Sequence, residues 1–247
     1  ILDEVLVLMT NTPSCICLFI FSIDLLTGQF PYQGSLRLNG NHYCGCVLVA
    51  TRYCISAAHC TVNSPSSYDV QLGITIRSQP QNGQTIAVST FFNHPNYGSG
   101  PGSFPNDISV VLLASAANLA NPLISTIPMA NSNDNDEGSR GTISGWGYTT
   151  PGGTNPVLPD HLQYVTVDVH TRATCNSYWG ASINDGHICI GNIGSAASCN
   201  GDSGGPLAVG GRVVGITSWG VQGCWTQYPA VYTKVAYFRT WLDGIIS

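Results

Sequence analysis

The sequence predicts an all-β protein, on the basis of its composition and of the length of its apolar runs. The 247 residues include 28 glycines and 14 prolines, and together with Ser and Thr these separate many short apolar runs. Short apolar runs bounded by turn residues are typical of β-strands. A chain of this length is able to bury a sizeable core and to form two domains.

The first half of the chain reads as strands and turns, from Gly28 to about Ala120. A short helical turn is expected over Ser56–Thr61, where small residues surround a histidine. Strands are predicted most clearly for three segments: Gln33–Leu38, Gly45–Ala50 and Val88–Phe92.

The second half begins after the loop Ala130–Arg140, which is rich in Asn, Asp and Ser. A further strand-rich region is predicted from Gly141 to Tyr232. The segment Tyr237–Leu242 has apolar residues at helical spacing, so we expect a short helix near the C-terminus.

Charge and cysteine content narrow the partners and the compartment. The net charge is −5, the only lysine is Lys234, and no basic cluster occurs. Binding to nucleic acid or to an anionic membrane surface therefore has no electrostatic support, and we expect neither. Ten cysteines indicate an oxidising compartment, so we expect a secreted, extracellular protein.

Residues 1–27 differ in character from the rest of the chain. They are strongly apolar and contain neither Lys nor Arg. The run Cys15–Ile23 is too short to span a bilayer and is followed by Asp24. The segment also lacks the basic start of a secretory signal. Two interpretations stay open: a weak signal anchor, or an incorrectly joined or fragmentary start of the sequence.

The most informative motif is Gly201–Pro206, which places Ser203 between small residues. A nucleophilic serine needs an uncrowded approach, and the neighbouring glycines permit the unusual backbone angles that this requires. The backbone N–H groups of Gly201 and Ser203 are candidates to bind a developing oxyanion. Taken alone, the motif is also compatible with an ordinary glycine-rich turn.

Two further motifs supply the partners that such a serine needs. His59 lies among small residues beside a cysteine, and Asp107 precedes an apolar run. Each is also compatible with a structural role, as a core histidine or a buried capping carboxylate. In the order His, Asp, Ser they are the three groups that activate a hydroxyl, since the histidine accepts its proton and the aspartate orients the histidine.

At this point the sequence resembles the chymotrypsin-like, trypsin-fold serine peptidases of the S1 type, from about Gly28 to the C-terminus. The resemblance implies two six-stranded antiparallel β-barrels with a short C-terminal helix. The first barrel would span 28–120 and the second 121–247, with the site in the cleft between them. The motifs that carry it are Gly28–Gln33, Cys44–Gly45, Ser56–Cys60, Asn106–Ile108, Ser144–Gly147, Gly201–Pro206 and Ser218–Gly220.

The family also implies disulfides. Many relatives have one more bridge, between positions that match Gly141 and Val209, and both of those cysteines are absent here. The three pairs that remain are Cys44–Cys60, Cys175–Cys189 and Cys199–Cys224.

Four cysteines are left over by this assignment: Cys15, Cys17, Cys46 and Cys54. Cys46 and Cys54 either pair with each other or remain as buried free thiols, and we favour free thiols. We expect no zinc site and no cofactor. We expect no calcium site either, because the segment 74–90, where some relatives bind calcium, contains no Asp or Glu.

The resemblance also assigns a specificity pocket. Its base falls on Ala197, where trypsin-like members have an aspartate, with Ser198 beside it, and its walls fall on Gly220 and Ala230. An uncharged base leaves a substrate Arg or Lys without a partner. We therefore expect a chymotrypsin- or elastase-like preference for an apolar residue before the cut. The main chain of Ser218, Trp219 and Gly220 would pair with the extended substrate.

Activation is where the chain departs from the family pattern. Active relatives begin with Ile-Val-Gly-Gly, whose ammonium group pairs with the residue that matches Asp202. No such tetrapeptide occurs here, and the equivalent position near Phe19–Ser22 has no preceding Arg or Lys. In the family's zymogens, residues that match His42 and Ser35 partner this aspartate instead. We therefore expect a zymogen-like state in which the oxyanion hole is not formed.

The sequence thus predicts a secreted serine endopeptidase that acts on protein or peptide substrates through an acyl-enzyme. The alternative is a non-catalytic or zymogen-locked homologue that acts as a binding or regulatory module. The family resemblance implies protein protease inhibitors as further partners and a monomeric state.

Overall fold

A computed structural model describes residues 28–150 and 157–246. The predictions made for residues 1–27, including Cys15, Cys17 and the activation position near Phe19–Ser22, lie outside the described residues. Two six-stranded antiparallel sheets make up most of the described chain, which confirms the predicted fold class.

The first sheet closes into a barrel with strand order β1-β2-β3-β6-β5-β4. β5 shows why the sequence forms a strand here, since Ile86 and Val88 point inward between more exposed neighbours. The strands are β1 Gln33–Leu38, β2 Asn41–Ala50, β3 Tyr53–Ser56, β4 Tyr68–Leu72, β5 Gln84–Asn93 and β6 Ser109–Leu113.

The second sheet has the order β8-β7-β10-β11-β12-β9 and forms a half-closed barrel. Its two edges approach each other at a single bridge between Val169 and Ile190 in the part of the chain that the structure describes. The strands are β7 Arg140–Gly145, β8 Gln163–Asp168, β9 His187–Ile190, β10 Pro206–Val209, β11 Arg212–Trp219 and β12 Ala230–Lys234.

Two α-helices accompany the sheets in residues 28–150 and 157–246. The C-terminal helix that was predicted over Tyr237–Leu242 is α2, Val235–Asp243. The other, α1 Arg172–Trp179, was not predicted, because Cys175 is the one buried residue among its eight and no apolar stripe marks it. Among the described residues, no helix is long and apolar enough to cross a membrane.

Three disulfides link the described chain, namely Cys44–Cys60, Cys175–Cys189 and Cys199–Cys224. These are the pairs that the family resemblance implied. Cys46 and Cys54 are buried free thiols on β2 and β3. Their strands pair so that Cys54 lies opposite Leu48 rather than opposite Cys46, which places the two thiols diagonally.

The two barrels pack directly against each other. The Gly45 N–H on β2 donates a hydrogen bond to the Ser203 carbonyl at 2.7 Å. The Ser144 hydroxyl on β7 donates to the Gln33 side chain, also at 2.7 Å, and both residues are buried. The loop that carries Ser203 is therefore held against the wall of the first barrel.

Candidate active site

His59 lies in a short 3-10 turn, Ala58–Cys60, directly after β3. The Cys44–Cys60 disulfide joins this turn to β2. The His59 backbone N–H donates to Asp107 Oδ1 at 2.9 Å, and its ring Nδ1 lies 2.7 Å from Asp107 Oδ2. Because Nδ1 faces a carboxylate, it carries the proton, and Nε2 of the neutral ring is left as a proton acceptor.

Asp107 has no solvent exposure. Burying a carboxylate is unfavourable unless donors surround it. Besides the two bonds from His59, Oδ2 accepts a hydrogen bond from the Ser218 hydroxyl at 2.5 Å. The Asp107 backbone carbonyl accepts another from the Thr233 hydroxyl at 2.7 Å. Donors from both barrels thus hold this carboxylate in one orientation.

The bond from Ser218 was not anticipated, since the sequence suggested only main-chain contacts for this residue. The pairing of β11 with β12 shifts register between Thr217 and Trp219. A bulge of this kind turns a side chain away from its regular direction. It lets the buried Ser218 hydroxyl reach the other barrel, which no local sequence pattern reveals.

Ser203 follows a tight turn that depends on glycine. Gly201 and Gly204 have φ values of +100° and +78°, a region that glycine adopts without strain. The Gly204 N–H donates to the Thr217 carbonyl at 2.8 Å. A Cβ atom at Gly204 would lie 3.2 Å from the backbone nitrogen of Ala57, two residues before His59. The turn that carries Ser203 therefore packs against the turn that carries His59.

No hydrogen bond joins the hydroxyl of Ser203 to His59 within residues 28–150 and 157–246. Hydrogen bonds between catalytic groups are often long in unliganded sites and tighten when substrate binds.

Asp202 does not make the zymogen-like contact that we expected. Its Oδ1 accepts from the Gly147 N–H at 2.8 Å and its Oδ2 from the Cys199 N–H at 2.9 Å. His42 Nδ1 lies 2.7 Å from the Ser35 hydroxyl, as expected, but His42 Nε2 lies 3.0 Å from the Gly201 carbonyl. The predicted contact between His42 and Asp202 is therefore wrong for this structure.

A neutral His42 ring fits this arrangement. Loss of hydration on burial lowers the pKa of His42 to about 4, so the ring is neutral near pH 7 and has a single N–H to donate. That N–H goes to the Gly201 carbonyl. The Asp202 carboxylate meanwhile has two backbone donors, and loss of hydration raises its pKa to about 6.

A pocket of about 120 Å³ opens beside Ser203. Its lining has no charged side chain, and it extends beyond the predicted set to the exposed rings of Trp225 and Tyr228. A Cβ atom on Gly220 would lie 4.0 Å from the Cβ of Ala230, so these two residues face each other. Every residue predicted to bind substrate lines this pocket: Ala197, Ser198, Ser218, Trp219, Gly220 and Ala230.

In the described part of the chain, one group of possible metal ligands lies near the site. Donor atoms of Cys44, His59 and Cys60 lie within 4.8 Å of one another. The two sulfur atoms are joined in a disulfide and offer no thiolate to a metal ion. This group therefore gives no support to metal-dependent chemistry at His59.

Comparison with known proteins gives one consistent family. The family model described as Trypsin matches residues 24–242. The chain is 38% identical to a chymotrypsin-like serine proteinase of Haliotis rufescens, over 87% of each protein. It is 39% identical to fibrinolytic enzyme isozyme C of Lumbricus rubellus, covering 87% of this chain and 94% of that protein.

Similar agreement comes from a trypsin and from a solved structure. Trypsin beta of Drosophila erecta is 38% identical to this chain. The match covers 87% of this chain and 83% of that protein. The structure of neuropsin, a serine protease expressed in the limbic system of mouse brain, superposes with a TM-score of 0.82. It is 33% identical, and the match covers 90% of this chain and 97% of that one.

Proposed function

Since the chain belongs to the trypsin family of serine proteases, we propose that it is an endopeptidase whose catalytic groups are His59, Asp107 and Ser203. The observation that carries the proposal is the bond of 2.7 Å between His59 Nδ1 and the buried Asp107 carboxylate. This bond lies in the cleft into which the Ser203 turn packs.

The reaction proceeds in two halves. His59 Nε2 accepts the Ser203 proton while Oγ attacks the carbonyl carbon of the scissile bond. The same imidazole then gives the proton to the departing amine, which leaves an acyl group on Ser203. Asp107 keeps the Nδ1 proton in place and stabilises the imidazolium that forms in between. Water, deprotonated by His59, releases the acyl group.

The negative charge on the carbonyl oxygen needs donors of its own. We assign the backbone N–H groups of Gly201 and Ser203 to this role, because they lie on the same tight turn as the nucleophile. Loss of one such donor costs on the order of a hundredfold to a thousandfold in rate.

A preference for an apolar residue before the cut is the second part of the proposal. Ala197 and Ser198 offer no charge to a substrate Arg or Lys, and an unpaired buried cation is strongly disfavoured. The relatives include both trypsins and a chymotrypsin-like proteinase, so the argument rests on the pocket lining itself. We expect Leu, Met, Phe or Tyr, with the largest rings limited by the methyl group of Ala230.

The decisive experiment is covalent labelling with a fluorophosphonate probe. The intact protein should be labelled, and Ser203→Ala should not, because the probe reacts with an activated serine hydroxyl. A failure to label would contradict the proposal and favour a non-catalytic homologue. That alternative has little support at present, since the named relatives are proteinases and the chain retains all three groups.

Primary specificity is tested with peptides that differ only at the residue before the cut. Peptides with Leu or Phe should have a kcat/KM at least about tenfold above those with Arg or Lys. Gly220→Val should lower cleavage after Phe more than cleavage after Ala, since its methyl groups would narrow the space facing Ala230. Equal cleavage after Arg and Leu would overturn the assigned preference.

We further propose secretion, a monomeric state, and protein or peptide substrates and protein inhibitors as partners. Three disulfides and a net charge of −5 support an extracellular protein that does not bind polyanions. Gel filtration of the protein recovered from culture medium tests both the compartment and the state of assembly.

A further inference from the structure

We propose that Arg77 is a positioning residue for the oxyanion hole and that it acts through Leu158, which packs against Gly201. The inference rests on the proposed function, in which the Gly201 N–H binds the developing oxyanion. Arg77 lies on the loop that follows β4 in the first barrel, whereas Leu158 and Gly201 lie on loops of the second. Its role therefore depends on a contact between the barrels.

The two loops lie side by side along segments 75–78 and 158–162, and we call this contact the interbarrel clamp. An antiparallel bridge that lies outside the two sheets joins Ile76 to His161 within it. The interbarrel clamp is therefore a link between the barrels that is separate from their sheet hydrogen bonds.

The Arg77 side chain adds charged donors to the interbarrel clamp. Its Nε donates to the Pro159 carbonyl at 2.8 Å, and its Nη2 donates to the Leu158 carbonyl at 2.9 Å. Hydrogen bonds from a guanidinium are stronger than those from a neutral donor, and its planar shape fixes the direction of both acceptors. Arg77 is the one charged residue in segment 74–90, so no acidic neighbour in that segment competes for its guanidinium.

Leu158 carries this constraint to the turn before Ser203. A Cβ atom on Gly201 would lie 2.9 Å from Leu158 Cδ2, so the leucine side chain lies directly against the glycine. The Gly201 carbonyl is held separately by His42 Nε2 at 3.0 Å. Glycine itself restricts its backbone angles little, so these neighbours determine where the Gly201 N–H points.

Loss of the Arg77 side chain frees the carbonyls of Leu158 and Pro159 and loosens the packing on Gly201. Removal of an oxyanion donor costs on the order of a hundredfold to a thousandfold in rate, and a donor that is only partly misdirected costs less, about tenfold. The loss should fall on kcat with KM nearly constant, because the oxyanion forms in the transition state and is absent from the bound substrate.

The experiment is a double-mutant cycle in the full-length protein with Arg77→Gln, Leu158→Ala and the double variant. Each single variant should lose about tenfold in kcat, and the double variant should lose little more, because both changes break the same link. Single losses that multiply to about a hundredfold would mean that Arg77 does not act through Leu158, and would overturn the proposal.

The matched control is Arg52→Gln. The Arg52 guanidinium also binds a backbone carbonyl, that of Leu113, at 2.9 and 3.2 Å. Arg52 precedes β3, whereas His59 follows it, so this contact lies at the end of the strand away from the site. Arg52→Gln should lower the free energy of unfolding and leave kcat unchanged. Equal losses of kcat in Arg52→Gln and Arg77→Gln would reflect stability alone and would overturn the positioning role.

Hydrogen exchange separates this inference from the proposed function. Backbone amides of segment 199–205 should exchange at least about fivefold faster in Arg77→Gln than in the parent protein, and at the parent rate in Arg52→Gln, whether or not any peptide is cleaved. Faster exchange in a protein without peptidase activity would support the interbarrel clamp and contradict the endopeptidase. Unchanged exchange together with full kcat in Arg77→Gln would overturn the positioning role and leave the endopeptidase in place.

Discussion

At the scale of single residues, the site depends on which donors stabilise two carboxylates, the buried Asp107 and the partly buried Asp202. Asp107 receives donors from His59 and Ser218. Asp202 receives two backbone N–H groups, and no cationic side chain bonds to it within the described residues. The carboxylates of Asp107 and Asp202 are therefore stabilised by different kinds of donor.

The variant Ser218→Ala tests whether the Ser218 hydroxyl holds the Asp107 carboxylate in position. It removes one charge-assisted hydrogen bond from Asp107 and lets the carboxylate rotate away from His59, so kcat should fall by about tenfold while KM stays nearly constant. Steady-state kinetics measure this split. Ser66→Ala, which changes an exposed hydroxyl, should be without effect. An unchanged kcat for Ser218→Ala would contradict a positioning role.

The pKa of Asp202 makes the free energy of unfolding depend on pH. Burial raises its pKa to about 6, so between pH 4 and pH 6 the folded state binds more protons than the unfolded state. The stability that comes from the protonated carboxyl is present below about pH 4 and is lost as the pH rises through 6, by about 3 kcal/mol.

Urea unfolding of the parent protein and of Asp202→Asn at several pH values measures this term. The difference in free energy of unfolding between the two should move by about 3 kcal/mol in favour of Asp202→Asn from pH 4 to pH 7. A difference that stays constant with pH would mean that Asp202 ionises near its ordinary pKa, as it would beside a cation.

At the scale of elements, irregularities in the strands and turns direct side chains toward the site. The bulge in β11 aims Ser218 at Asp107, and positive φ values at Gly201 and Gly204 shape the serine turn.

The helix α1 begins and ends at specific capping residues. The Thr171 hydroxyl accepts a hydrogen bond from the Thr174 N–H at its start, and Gly180 follows its last turn with φ +52°.

The cap of α1 can be tested separately from the active site. Thr171→Ala leaves the Thr174 N–H without its acceptor and should lower the free energy of unfolding by about 1 kcal/mol. Thr171→Ser keeps the hydroxyl and should stay near the parent value. Chemical denaturation gives both numbers. Equal stability of the Ala and Ser variants would contradict the cap.

At the scale of the whole molecule, the site exists because two barrels meet at close range. A Cβ atom on Gly45 would lie 2.7 Å from the Gly205 Cα, closer than such atoms approach. The Gly45 N–H donates a hydrogen bond to the Ser203 carbonyl. The Gly45 carbonyl accepts a hydrogen bond from the Ser56 hydroxyl at 2.8 Å. The absence of a side chain at this point sets the distance between the nucleophile and its base.

Gly45→Ala should therefore separate the Ser203 turn from the His59 turn. A displacement of about 1 Å between catalytic groups lowers the rate by roughly a hundredfold, and kcat/KM should fall at least that far. Gly244→Ala, at the end of α2, brings only an ordinary contact of 3.4 Å and serves as the control. Full activity of Gly45→Ala would contradict the assigned role of this contact.

Local patterns in the sequence were sufficient to predict the all-β class, the strand β1 at Gln33–Leu38 and the C-terminal helix. Strand alternation, turn residues and helical spacing act over a few residues, so they are visible in the chain itself. Motifs with a fixed local geometry, such as the glycines around Ser203, are readable for the same reason.

Long-range contacts were decided by the tertiary structure. Ser218 and Asp107 are 111 positions apart, and their bond depends on a bulge and on the docking of two barrels. His42 Nε2 lies against the Gly201 carbonyl instead of Asp202, and burial, which the sequence does not show, lowers the pKa of this ring to about 4. Ring contacts of Tyr228 with Tyr178 and Trp179 likewise join α1 to the loop before β12. The sequence by itself determined which chemical groups are present and in what local shape, and packing determined their partners, because burial and distance arise only when the barrels close on each other.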